Sequence, residues 1–209
     1  MKKGMFITLE GVEGVGKTTN LDFIADYLTT AGKEVITTRE PGGTNIAERI
    51  REILLQHDQE SLGDESEVLL MFAARAQHLE QVIRPALESG KWVLCDRFTD
   101  ATYAYQGGGR RVKEADIRWM EHFVQKGLSP DKPVLLDLSV ELGLQRAANR
   151  SQPDRFESEQ HAFFEQVREV YLNRAKAEPN RCCVIDASQC IESVQKNIRQ
   201  HLDEILKNA

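Results

Sequence analysis

Residues Gly11 to Thr18 read Gly-Val-Glu-Gly-Val-Gly-Lys-Thr. A glycine, four residues and then Gly-Lys-Thr is the pattern of a loop that wraps a polyphosphate, because backbone N–H groups reach phosphate oxygens only where glycine lets the chain come close. The candidate cradle is Gly11, Val12, Glu13, Gly14, Val15, Gly16, Lys17, Thr18 and Thr19. Lys17 offers a point charge to the outer phosphates, and Thr18 offers a hydroxyl to Mg²⁺. The middle of this loop holds no arginine, so a second cation for a moving phosphoryl group must come from elsewhere. Arg146, Arg150 and Arg155 surround the helix-breaking Ser151-Gln152-Pro153-Asp154. They are the candidate suppliers, carried on a mobile lid at about 146–157; a solvated basic helix end is the bland alternative.

Other residues could receive a second substrate. Arg39 and Glu40 precede Pro41-Gly42-Gly43-Thr44, and they are either pocket residues or a surface ion pair beside a tight turn. Arg75 falls three residues after Phe72 and four before Leu79, near an apolar stripe running Leu69, Phe72, Ala76, Leu79, Ile83 and Leu87. A charge on that face needs an anion, a planar acceptor or a salt bridge. Asp96-Arg97-Phe98 follows an apolar run, which places Asp96 to hold Mg²⁺ opposite the glycine loop and Arg97 to meet an acceptor phosphate. Beyond it, Thr99 to Arg111 mixes hydroxyls, aromatics, an amide and a flexible triglycine, groups that suit a nucleobase and a sugar.

The elements that must position these groups are legible as alternating patterns. Strands are expected at Met5–Leu9, Glu34–Thr38, Trp92–Cys95, Val134–Leu138 and Cys183–Asp186. Helices are expected near 18–30, 46–56, 66–88, 114–125, 141–149, 158–177 and 191–206. Pro85 should kink the long third helix or open its last turn. Such alternation implies an α/β fold with a parallel sheet covered by helices on both faces. Ligands then bind beyond the C-terminal strand ends, in the loops 10–17, 39–44, 96–111 and 186–190.

The 209 residues suit one domain with a proper core, with the lid as its mobile part. A net charge of -6 argues against binding nucleic acid through a basic surface, while leaving room for a local basic pocket. The opening apolar stretch is too short for a signal peptide and no run reaches membrane-spanning length, so a cytoplasmic protein is expected. The four cysteines lack zinc-ligand spacing and read as buried free thiols. Asn-Lys-x-Asp, which a guanine-reading switch would carry, is absent, as is the strand ending in Asp-Glu of an ATPase motor. An acceptor pocket and an arginine lid favour a small-molecule kinase over a regulatory NTPase.

Together, Glu10 through Thr19, Thr38 through Thr44, Phe72-Ala73-Ala74-Arg75, Asp96-Arg97-Phe98 and Ala104-Tyr105-Gln106-Gly107 resemble the thymidylate kinase family. The arginine-free glycine loop with an arginine-bearing lid resembles its bacterial form. The resemblance implies a three-layer P-loop fold with a five-stranded parallel sheet. It implies transfer of the ATP γ-phosphoryl group to dTMP with Mg²⁺, and a homodimer, for which helix 66–88 is a plausible contact surface. It implies that Glu13 holds the 3′-hydroxyl, that Arg39 and Arg97 lie near the dTMP phosphate, and that Arg51 also belongs to the dTMP-binding set. Arg75 would donate to thymine O4, with Thr102 and Gln106 at the base edge and Tyr105 under the sugar. Phe72 would pack on the base, although Met71 occupies the spacing seen in many relatives. Lys17, Thr18 and Asp96 would serve ATP and Mg²⁺, Arg155 together with Arg150 would close over the transferring group, and Asp186–Gln189 would lie by adenine. The attacking phosphate oxygen is already ionised at neutral pH, so no general base is required. The runner-up activity is a deoxynucleoside kinase.

Overall fold

A computed structural model describes residues 4–56, 60–148 and 154–208. Its strands are β1 (Phe6–Glu10), β2 (Val35–Arg39), β3 (Trp92–Asp96), β4 (Lys132–Asp137) and β5 (Cys183–Asp186). They form a five-stranded sheet in the order β2-β3-β1-β4-β5, and every pairing is parallel. All five lie within a residue or two of the segments the periodicity predicts. Parallel strands need crossovers, and the helices between them supply these: α1 (Lys17–Thr30), α2 (Asn45–Leu55), α3 (Asp64–His78), α4 (Arg84–Glu88), α5 (Thr99–Thr102), α6 (Glu114–Gln125), α7 (Val140–Ala148) and α8 (His161–Ala177), while α9 (Ile191–Asn208) follows the last strand.

Strand alternation divides the core between the two faces. Ile7, Leu9 and Leu94 pack with Ile24 and Leu28 of α1 and with α9, whereas Phe6, Val93 and Cys95 pack with Leu79, Ile83 and Leu87. The central strand β1 is buried along its whole length. Leu9 is in register with Asp96 and Thr38 with Cys95, so β1, β2 and β3 end side by side. Glu10, Arg39 and Arg97 are thereby delivered to one edge.

Two segments differ from the sequence expectation. The long third helix starts at Asp64, with Asp64, Glu65 and Glu67 in the first turn where they complement the helix dipole. It does not continue as a plain α-helix. Leu79–Ile83 forms a wide π-turn before α4, with the Arg84 N–H bonding Leu79 O. Pro85 explains it, since proline has no N–H to give and its ring displaces the carbonyl four residues back. The stripe is also rotated: Leu69 and Ala76 are exposed, while Val68, Phe72, Arg75 and His78 are buried.

The second difference is residues 96–111, expected as a loop. Thr99–Thr102 is α-helical and Tyr103–Gly109 continues it as a π-helical turn. Three successive glycines discourage a helix. Here they serve packing, because a Cβ on Gly109 would lie 2.3 Å from the Phe163 ring and one on Gly108 2.8 Å from Val170, both on α8. The triglycine is a docking face for α8 and not a flexible joint. The thiols also differ: Cys95 is buried, Cys182 and Cys183 are half-buried, and Cys190 is exposed, all four free.

Candidate active site

One cavity lies beyond the C-terminal strand ends, and its lining joins the glycine loop to β3 and the 99–109 segment. At the loop, Gly11, Gly14 and Gly16 have φ of 137°, 72° and 89°. A side chain at Gly14 would meet Gly143 O at 1.9 Å, and one at Gly11 would meet Leu136 O at 2.5 Å. Val12 and Val15 are buried and pin the loop from beneath, while Glu13, Gly14, Gly16, Lys17 and Thr18 line the cavity. Gly16 caps α1 without a side-chain bond, so the first-turn N–H groups stay open to an anion. Thr18 and Thr19 are exposed on that turn. Lys17 Nζ donates to Gly11 O (3.0 Å) and Val12 O (2.9 Å). Burial, with repulsion from Arg97, pulls its pKa down to about 8.

Across the cavity, Arg97 Nη2 donates to Glu13 Oε1 at 2.7 Å and Tyr105 OH donates to Glu13 Oε2 at 2.6 Å. The guanidinium lies 4.5 Å from the Tyr105 ring centre. Burial opposes ionisation of Glu13, but Arg97 and Lys17 outweigh it and hold the carboxyl below its usual range. Arg97 has φ 66°, a strained left-handed backbone for a non-glycine residue, at the turn that aims its side chain back over the loop. Next to it, Asp96 Oδ1 is buried without a hydrogen-bond partner among the described residues. Asp96 and Thr18 line the same cavity, and a hydroxyl plus an unpartnered carboxylate oxygen are the hard donors Mg²⁺ takes alongside phosphate oxygens and water.

The far end of the cavity is a buried network. Arg75 Nε donates to Glu40 Oε2 (2.7 Å), and its Nη2 donates to Thr102 Oγ1 (2.9 Å) and Phe98 O (3.2 Å). Glu40 Oε1 also accepts from His78 Nδ1 (3.0 Å), and His78 Nε2 bonds Thr38 Oγ1 (2.7 Å). The Arg75 guanidinium sits between the Phe72 and Phe98 rings, 4.9 and 4.8 Å from their centres. Arg75 makes the structural salt bridge, and it also lines the cavity with its Nη1 lacking a partner among the described residues. Glu40 is a buried partner and not a surface one. Met71 lines the cavity, while Phe72 is buried with Val68, Ile117 and Met120 behind it. Of the two, Met71 is the one that faces the cavity, and Phe72 lies against the Arg75 guanidinium.

At the rim, Arg39 pairs with Glu48 (2.8 Å) and Arg51 Nη1 donates to Pro41 O (2.9 Å); both arginines line the cavity. The lid arginines are placed differently from the expectation of a free flap. Arg155 turns away from the cavity, its Nε on Leu54 O (2.9 Å), its Nη2 on Glu67 (2.6 Å) and its guanidinium 4.5 Å from the Phe156 ring centre. A buried carboxylate and a free carbonyl are stronger partners than solvent. Arg146 Nη1 donates to Ala187 O, within the Asp186–Gln189 turn expected near adenine. Arg150 lies outside the described residues. Asp154, Phe156 and Glu157 face the cavity instead.

Three residues were missed at the sequence level. Glu10 is buried, accepts from Phe98 N (2.9 Å) and Tyr171 OH (3.1 Å), and burial pushes its carboxyl up to about 8. Phe98 lines the cavity under Arg75. Glu67 is fully buried and anchors three side chains. A signal existed for the last, since Glu67, Met71 and Arg75 recur every four residues on one helical ridge.

Comparison with known proteins follows the same outline. A sequence model described as thymidylate kinase matches residues 9–198. The chain is 57% identical over 204 residues to thymidylate kinase of Pseudomonas syringae pv. tomato, covering 98% of this chain and 97% of that one. Identity to the Pseudomonas putida protein of the same name is also 57%, with the same coverage. Among solved structures, the fold matches thymidylate kinase from Ehrlichia chaffeensis with a TM-score of 0.77 at 33% identity, over 96% of this chain and 99% of that one.

Proposed function

The chain belongs to the thymidylate kinase family, and we propose that it transfers the γ-phosphoryl group of ATP to the phosphate of dTMP, giving dTDP and ADP for dTTP synthesis. One observation carries the reading: a single cavity connects Gly14, Lys17 and Thr18 at one end with Arg75, Thr102 and Gln106 at the other, with Arg97 between. A phosphate oxygen of dTMP forms the new bond to the γ-phosphorus, and the bond from that phosphorus to the β–γ bridging oxygen breaks. Both substrates are polyanions, so catalysis is positioning plus neutralisation.

In this scheme the loop N–H groups from Gly11 to Thr19 and the Lys17 ammonium hold the ATP phosphates. Thr18 and Asp96 would hold Mg²⁺, which when bound would neutralise phosphate charge. Arg97, with Arg39 and Arg51 at the rim, receives the dTMP phosphate. Glu13, fixed by Arg97 and Tyr105, meets the sugar hydroxyl, and Tyr105 closes the space where a 2′-hydroxyl would sit. Arg75 Nη1 takes thymine O4, Thr102 and Gln106 face the base edge, and Met71 packs on the ring. The segment 146–157 acts as the lid of the single kinase domain, rooted by Arg146 at the adenine side and by Arg155 on Glu67. That leaves Arg155 to reach the transferring group only by leaving Glu67.

A cytoplasmic location is supported by four free thiols. A homodimer is supported by exposed apolar side chains on neighbouring helices: Ile46 and Ile53 on α2, Leu69 on α3, and the stacked pair Trp119 and Phe123 on α6. The deciding experiment incubates the protein with ATP, Mg²⁺ and separately dTMP, dUMP, UMP, CMP, AMP and thymidine, and separates the products. Conversion of dTMP to dTDP with little action on UMP, AMP or thymidine is expected. Phosphorylation of thymidine would select the deoxynucleoside kinase instead, and ATP hydrolysis without an acceptor would select a regulatory NTPase.

A further inference from the structure

Glu67 lies at 0% exposure in the first turn of α3 and does not line the cavity. Its Oε1 accepts from Gln106 Nε2 at 2.8 Å. Its Oε2 accepts from Arg155 Nη2 at 2.6 Å and Arg110 Nε at 3.2 Å. Arg110 also pairs with Glu159, so two arginines tie the chain after residue 154 to this one carboxylate. Such a carboxylate has acceptors only. It can bond Gln106 solely through the amide NH₂, which fixes an orientation the amide could otherwise reverse. The Gln106 carbonyl oxygen is then the end left for the cavity, which Gln106 lines.

We propose that Glu67 is a positioning residue for base recognition: by holding the Gln106 amide nitrogen it presents the amide oxygen as an acceptor beside the donor of Arg75. The inference rests on the acceptor reading given above. Thr102 and Gln106 are one turn apart, and Arg75 bonds the first while Glu67 bonds the second. A donor from Arg75 next to an acceptor from Gln106 matches a ring carrying a carbonyl oxygen beside a ring N–H, as in thymine or uracil. Cytosine offers an amino group and a bare ring nitrogen at those places and meets a like group at both.

The test is a double-mutant cycle on the full-length enzyme, reading KM for dTMP and kcat separately at saturating ATP. Glu67→Gln can offer Gln106 either end of its own amide, and Gln106→Leu removes the group Glu67 acts through. Glu67→Gln alone is expected to raise KM for dTMP about tenfold, the worth of one ordinary hydrogen bond, and to narrow the preference for dTMP over dCMP. In the Gln106→Leu background the same change should leave KM within about twofold, since coupled residues are non-additive. An equal rise in both backgrounds, or parallel losses with dTMP and dCMP, would make Glu67 a structural anchor and overturn the proposal. If Glu67→Gln does not fold, Glu67→Asp keeps the negative charge, draws the carboxylate back by one methylene, and carries the same cycle. A wild-type enzyme inactive on dTMP would instead defeat the acceptor reading itself.

Discussion

The two ends of the cavity are built on opposite plans. The phosphate end is made mostly of backbone: a short contiguous loop whose glycines hold positive φ and whose N–H groups open onto the cavity. Its charged groups are few and kept poised, as Lys17 is by burial and by Arg97. The other end is made of side chains from β2, α3 and the 99–109 segment, bonded in two groups: Arg75 with Glu40, Thr102 and His78, and Gln106 with Glu67. A polyphosphate is recognised by charge and by many equivalent oxygens, which a ring of N–H groups satisfies. A base is recognised by which edge atoms donate and which accept. That requires donors and acceptors fixed in orientation, and a buried network with every member bonded does this.

If the contrast is right, the base end holds the fold together and the phosphate end does not. Arg75→Met should be the more damaging change to stability, by about 3–5 kcal/mol, because it leaves Glu40 buried with its charge uncompensated; denaturant unfolding measures it, and a loss under about 1 kcal/mol would break the comparison. Lys17→Met should do the reverse. Activity should fall by at least about 100-fold, the scale for losing one charge-stabilising group. Tm should hold or rise near pH 7: a lysine pKa lower in the fold than in the unfolded chain means that folding disfavours its charged form. A Tm drop as large as that of Arg75→Met would erase the distinction.

The smallest effect is on pH. The free enzyme's Lys17 loses its proton as pH rises through about 8. The rate constant kcat/KM for ATP should therefore fall about tenfold per pH unit above that value. Bound phosphates raise the lysine pKa, so kcat itself should stay flatter over the same range. A profile identical in Lys17→Met would assign the titration to another group.

The plans also differ in how far they could be read in advance. The loop is legible because its function is local, resting on φ angles that only glycine tolerates and a lysine at fixed spacing. The inner strands β1, β3 and β4 were legible too, since burial on both faces leaves continuous apolar runs, and the edge strands β2 and β5 showed as short β-favouring segments. Residues 99–109 were not, because the triglycine argues for a loop until α8 packs against it. Arg75 was visible as a charge on an apolar face, but its partners were not. Glu40 and Thr102 lie far away along the chain and meet it only when β2 and the 99–109 segment close around α3. Arg155 misled for the same reason: beside a helix-breaking patch it reads as free, and only the fold brings Glu67 to it.

By itself, then, the sequence determined the P-loop, the parallel α/β sheet and the class of chemistry, because each rests on residues close together in the chain. The tertiary structure decided which of Met71 and Phe72 faces the cavity, where Arg155 is held, and which end of the Gln106 amide meets Glu67. These depend on helix rotation and on partners distant in sequence, and no local propensity encodes either.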